Sequence, residues 1–178
     1  MRIVTLDNKS MENILADMLK RDPNNYDSYT QTVQAIVDDV KARGDEALFE
    51  YTKRFDGASL DGSSIRVTRE EIDEAMKQVE PGLLKVMERS MDNIRRYHEK
   101  QRQNSWFDAQ PDGTILGQKV TALESVGVYV PGGKAAYPSS VLMNIIPAEV
   151  AGVKRIAMVT PPGKDGKVNP GTLTAAYM

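Results

Sequence analysis

Apolar residues recur at intervals of three and four through the first hundred positions, and alternate over short runs beyond them, so the chain reads as helices followed by mixed strand and helix. Asn8 or Ser10 is placed to cap a first helix bearing Met11, Ile14, Leu15 and Met18 and ending before Pro23. Tyr29, Val33, Ile36, Val37 and Val40 then make one stripe, which predicts a helix from about Tyr26 to Ala42 with that stripe buried and Gly44 as its stop. A shorter helix, Glu46 to Phe55, presents Ala47, Leu48, Tyr51 and Phe55 to the same core. Asp56-Gly57 and Asp61-Gly62 favour turns, and Ile65 and Val67 alternate with polar residues as a short strand would. Thr68 followed by Glu71 is a capping box for a helix from Arg69 carrying Ile72, Ala75, Met76 and Val79. Pro81 suits the first turn of a long helix reaching about Gln101, whose apolar face runs from Leu83 through Met87 and Ile94 to Tyr97.

Beyond Ser105 the pattern changes. Trp106 to Val120 reads as a hairpin turning at Pro111-Asp112-Gly113, and Val126 to Val130 as a buried strand. Pro138-Ser139-Ser140 opens a helix with Val141, Leu142, Ile145 and Ile146 on one face. Pro147 is expected to kink or divide it, and Gly152 to close it. Ile156 to Val159 is a second short strand, and Asn169-Pro170 caps a last helix. Strand, glycine turn, helix, strand, turn, helix is the start of a wound α/β layer.

The 178 residues hold 23 basic and 25 acidic side chains, a formal charge of −2, and 40% apolar residues, which suits a chain with a real core. Splitting after Ser105 leaves 37 charged residues before the cut and 11 after it, while glycine plus proline rises from 6 to 16, in keeping with the change of pattern. Cysteine is absent and His98 is the single histidine, so neither a thiolate cluster nor a site built on two of the chain's own imidazoles is open to it. Scattered basic residues argue against a nucleic-acid partner. With no apolar stretch long enough to span a bilayer, and Asp7 where an export signal would be apolar, the chain is expected to be cytoplasmic.

The residues that invite chemistry follow the first buried strand. Ligands of wound α/β layers sit beyond the carboxyl ends of strands, here the stretch Tyr129 to Lys134. Gly132 and Gly133 would let a ligand approach bare main chain. Ser139, Ser140 and the first amides of the following helix could hold an anion, or Ser139 could be an ordinary cap. Neither the Gly-x-Gly-x-x-Gly nor the Gly-x-x-x-x-Gly-Lys-Ser/Thr pattern is present, and Pro-Gly-Gly also occurs as a plain turn.

The run VGVYVPGGKAAYPSSVLMNIIPAEVAGV from Val126 to Val153 resembles the signature region of the histidinol dehydrogenases, and Pro161-Pro162 through Leu173 continues the likeness. Upstream, Val40 to Leu48 (VKARGDEAL), then Tyr51 and Phe55-Asp56, is also similar to that family. The resemblance implies an incomplete Rossmann-like layered α/β fold related to a two-domain architecture, with residues 1–128 a helix-rich part of the first domain and 129–178 the beginning of the second. It implies a homodimeric, cytoplasmic enzyme of histidine biosynthesis that uses zinc and NAD to oxidise L-histidinol through L-histidinal to L-histidine. Tyr129 is the implied NAD contact, with Pro131, Gly132, Gly133 and Ser139 around it.

Family chains are longer, and the resemblance puts their acid-base residues and zinc ligands beyond the stretch matched here. The chain is therefore expected to be the N-terminal part of such an enzyme, with no catalytic or metal-ligating residue of its own and no activity alone. Two other readings stay open: a non-catalytic nucleotide- or phosphate-binding module using Pro131 to Ser140, and a structural protein that recruits a partner through its apolar sheet edge and methionine-bearing helix.

Overall fold

A computed structural model describes Asp7, Ser10, Met11, residues 27–132 and residues 135–178. The chain divides into two compact units, residues 1–48 and residues 49–178. Most of the first expected helix lies outside the described residues. At its start Asp7 takes the capping role, its Oδ1 accepting from the Ser10 amide at 2.6 Å.

In the first unit, helix α1 (Asp27–Arg43) ends at Gly44, whose φ of +62° is open to glycine at no steric cost. Arg43 donates from Nε and Nη2 to the two carboxylate oxygens of Asp39 at 2.7 and 2.8 Å, one turn back. The expected buried stripe is not buried: Tyr29, Val33 and Val37 are exposed, with Ile36 and Val40 half-buried. An amphipathic spacing specifies a face that gains from burial but does not supply the surface that buries it. Helix α2 (Asp45–Phe55) starts at once and carries the chain into the second unit. Ala47 is buried, whereas Leu48 and Phe55 stay exposed, so the shared core expected for this helix is only partly realised. The Phe55 ring stacks on Tyr51 at 5.7 Å.

The second unit contains the core. The strand expected at Ile65 and Val67 does not form. Asp61 Oδ1 instead gathers the amides and hydroxyls of Ser63 and Ser64 at 2.6 to 3.0 Å, and this local turn competes with extended backbone. Thr68 and Glu71 make the expected capping box, Thr68 Oγ1 accepting from the Glu71 amide at 3.2 Å and Glu71 Oε2 from the Thr68 amide at 2.8 Å. Helix α3 (Arg69–Gln78) follows, then α4 (Pro81–Glu99) with proline in its first turn.

Strands β1 (Trp106–Ala109) and β2 (Ile115–Gln118) form the expected antiparallel hairpin, with Gly113 at φ +87° in its turn. Strand β3 (Ser125–Tyr129), helix α5 (Pro138–Val150), strand β4 (Arg155–Val159) and helix α6 (Pro170–Tyr177) complete the chain. β3 and β4 pair in parallel with Val128 opposite Met158, a β-α-β-α layer as expected. Pro147 does not divide α5. The bond it forfeits belongs to the carbonyl of Met143, an exposed residue, so solvent is at hand to replace the missing amide.

Val128 and Val130 meet Val141, Leu142 and Ile146 of α5, Met87 of α4 and Ala175 of α6 in one buried cluster. Burying each larger side chain contributes about 1.5–3 kcal/mol. Half-buried Met91, Ile94, Val126, Ile156 and Met158 pack around it, so Met87 and Met91 of α4 serve as core filler. At the surface Arg95 donates to Glu149 at 2.7 Å, joining α4 to α5. Among the described residues no helix is long and apolar enough to cross a membrane.

Candidate functional site

The parallel pairing puts the carboxyl ends of β3 and β4 side by side, and the Val130 amide adds one more bond to the Val159 carbonyl at 2.9 Å. The two chains stay close past the sheet. A Cβ built on Gly132 would lie 3.2 Å from the Pro161 carbonyl oxygen and 3.3 Å from Thr160 Oγ1, so a residue with a side chain here would need these neighbours to give by a few tenths of an ångström. This close approach is what glycine supplies at the position.

Gly132, Thr160 and Pro161 form one wall of an open cleft of about 430 Å³. Its other walls are Glu71, Glu74 and Gln78 of α3, the loop carrying Asp165 and Lys167, and the start of α6 at Asn169 and Thr172. The expected cap of α6 holds: Asn169 Oδ1 accepts from the amides of Gly171 and Thr172 at 3.0 and 3.3 Å. That carboxamide satisfies the donors a helix end would otherwise offer an anion. Lys167 Nζ lies 3.7 Å from Glu74 Oε2, and its own amide donates to Asp165 Oδ1 at 3.1 Å. Glu71, Glu74 and Asp165 thus outnumber the one lysine, which leaves the cleft unfavourable to a free phosphate.

Of the residues singled out in the sequence, Gly132 lines this cleft, while Tyr129, Pro131 and Ser139 do not. Tyr129 projects from the sheet on the side opposite Val128 and is 63% exposed. Ser139 is exposed in the first turn of α5; its reading as the cap is overturned, because Tyr137 holds the cap position and no side chain bonds there. Gly133 and Lys134 lie outside the described residues. His98 is half-buried, edge-on to Tyr97 at 5.2 Å. Among the described residues no three His, Cys, Asp or Glu side chains gather closely enough to hold a metal ion.

Sequence reading missed Glu74, Thr160, Asp165 and Lys167 as wall residues. The available signal was positional: Thr160 follows the second strand as Val130 follows the first, and Glu71 and Glu74 share one helix face.

A two-stranded parallel layer flanked by helices, with a glycine-lined cleft where its strands end, defines an α/β protein of the incomplete Rossmann-like kind. The model of the histidinol dehydrogenase family matches residues 19–178, and the chain belongs to that family. It is 50% identical over 175 residues to the histidinol dehydrogenase of Heliobacterium mobile, covering 98% of this chain and 40% of that one. To the Bacillus subtilis histidinol dehydrogenase it is 60% identical over 146 residues, 82% of this chain and 34% of the relative. The crystal structure of histidinol dehydrogenase from Elizabethkingia anophelis superposes with a TM-score of 0.77 at 36% identity, covering 84% of this chain and 34% of that one. The chain thus spans well under half the length of these relatives, consistent with the N-terminal portion of such a protein.

Proposed function

We propose that this chain is the cofactor-placing part of an NAD-dependent, zinc-requiring dehydrogenase that oxidises L-histidinol through L-histidinal to L-histidine in the cytoplasm, as a homodimer. On this reading residues 1–128 belong to the first domain and residues 129–178 open the second. The supporting observation is the close main-chain approach of Gly132 to Thr160 and Pro161 at the carboxyl ends of β3 and β4, in a chain of this family.

The residues present fit a dinucleotide in two respects. Gly132 leaves bare backbone at the strand exit, and the exposed Tyr129 ring is free to stack on a flat heterocycle. Pro131, Gly133 and Ser139 are assigned to the same neighbourhood on the resemblance. NAD when bound accepts the hydride; this chain's contribution is to hold and orient it. The acidic walls around Lys167 would repel pyrophosphate, so the phosphates belong on the side of Pro131 and Ser139, away from Glu74. On the resemblance, the zinc ligands and acid-base residues belong to polypeptide beyond the stretch matched here, and this chain's own residues are given only the placing of the nucleotide.

The test is calorimetric titration of NAD into the 178-residue chain, with a parallel turnover assay on L-histidinol, NAD and zinc. Saturable binding weakened about tenfold by Tyr129→Ala, without turnover, is the expected result. Binding that Tyr129→Ala leaves unchanged would remove the tyrosine from the site. Ordinary turnover would overturn the assignment of the catalytic groups to other polypeptide.

A further inference from the structure

The cleft at the strand exits has a buried floor and a charged rim. Ala75 of α3 and Leu173 of α6, 4% and 7% exposed, make the floor apolar. Thr172 lines it too and is only 3% exposed. Asn169 Oδ1 takes the Thr172 amide, but the Thr172 hydroxyl makes no hydrogen bond among the described residues. A buried hydroxyl without a partner has given up its bonds to water, and a ligand atom that bonds it restores them.

Glu74 and Asp165 stand exposed at the rim. Lys167 Nζ comes no closer to Glu74 Oε2 than 3.7 Å, with both side chains 60% exposed, so the pair holds Glu74 weakly. Asp165 is engaged by the Lys167 amide through Oδ1 alone. Glu71 adds a third carboxylate, and the resulting negative field repels anions. Among the described residues no three His, Cys, Asp or Glu side chains converge closely enough for a metal ion, so these carboxylates suit an organic cation, whose donors are spread over a body of its own.

We infer that the cleft is a binding site for a small protonated amine with one further hydrogen-bonding group. The ammonium faces Glu74 and Asp165, a compact apolar body lies over Ala75 and Leu173, and the polar end bonds Thr172 Oγ1. At about 430 Å³ the cleft is of the size that small ligands occupy. The inference does not rest on the dinucleotide reading, which puts the phosphates on the other side of Gly132, toward Pro131 and Ser139.

The probe is the straight-chain aminobutanol with its two groups at opposite ends, titrated into the 178-residue chain and followed by amide chemical shifts. Butanediol, hydroxybutyrate and butylamine serve as comparisons. Saturable shifts centred on Gly132, Thr160 and Thr172 are expected, with a Kd on the order of 1 mM. Butanediol and hydroxybutyrate should bind about tenfold more weakly or not at all. Glu74→Gln should weaken aminobutanol about threefold, whereas Glu88→Gln on the exposed side of α4 leaves it unchanged. Thr172→Val keeps the shape of the side chain, and should bring aminobutanol down to the affinity of butylamine without altering butylamine itself. A general loss of structure would weaken both amines, and the Glu74→Gln comparison does not depend on the buried position. Equal binding of the amine, the diol and the acid overturns the inference, as do shifts centred away from the cleft. The titration is repeated with NAD at saturation. An unchanged amine affinity supports a separate site, whereas displacement by NAD gives the cleft to the nucleotide and overturns it. If NAD itself does not bind, the dinucleotide reading falls and the amine result still decides this one.

Discussion

Gly132 stands so close to Pro161 that a single added methyl would meet the Pro161 carbonyl oxygen at 3.2 Å and its Cδ at 3.3 Å. These residues lie on the two chains leaving β3 and β4, so the contact fixes the wall of the cleft. Gly132 is not among the positive-φ glycines, so alanine meets crowding and not backbone strain. Gly132→Ala is expected to cost about 1 kcal/mol, since overpacking costs about 1–3 kcal/mol where neighbours cannot move aside. That would lower the melting temperature by about 2–4 °C in a chain of this size. A thermal melt that does not change would mean that the loop after β4 yields freely.

The Thr68–Glu71 box is local and both of its bonds are present. Thr68→Ala should destabilise the second unit by about 1 kcal/mol, the usual effect of losing a hydroxyl cap. Glu71→Ala removes the reciprocal bond, and the double variant should cost less than the sum, because each single change already loosens the same first turn. Urea midpoints of the three variants measure this directly. Strict additivity would show that the two bonds act independently.

Asp61 has its carboxyl pulled down to about 2 by the Ser63 hydroxyl first, then the Ser64 hydroxyl and the two amides. These donors favour the charged form, so the folded state binds its proton less readily than the unfolded chain does. The sign follows: the turn's contribution is fully present above the ordinary carboxylate value of 3.8 and is lost as pH falls from there toward 2. Asp112 is lowered in the same sense, chiefly by the Thr114 amide. Carboxyl chemical shifts followed from pH 6 downward should show Asp61 titrating at about 2. A midpoint near the ordinary value would disprove the four-donor turn.

What could be read from the sequence was what is decided within a few residues. The Thr68 box, the Asn169 cap and the Pro111-Asp112-Gly113 turn each depend on side chains within four positions of one another, and all formed. The apolar run Val126–Val130 likewise identified a strand, though it was read as buried and only one of its faces is. Ile65 and Val67 misled because two alternating residues are weaker than the four bonds converging on Asp61. The Tyr29 stripe misled because spacing is silent about what lies opposite. The cleft was half legible: Gly132 announced itself by its place after a strand, whereas Glu74 and Lys167 are far apart in the chain and meet only through the fold.

Thr174 is the group the core would do better without. It sits fully buried in α6 between Leu173 and Ala175, and among the described residues its hydroxyl has no hydrogen-bond partner. A buried, unbonded hydroxyl costs roughly 1–3 kcal/mol on mutational scales, and the α6 backbone cannot recover that by its own ladder. Valine has nearly the same shape and replaces the hydroxyl with a methyl, so the packing against the core is kept while the desolvation cost is removed. The methyl branch is present in both residues, so helix propensity hardly changes. Thr174→Val is therefore expected to raise stability by about 1 kcal/mol, and Thr174→Ser, which keeps the hydroxyl and opens a methyl-sized void, to lower it by a similar amount. Urea denaturation of both variants beside the parent checks the pair. If valine destabilised the chain as much as serine, the hydroxyl would have to be bonded, and its burial without a partner would be wrong.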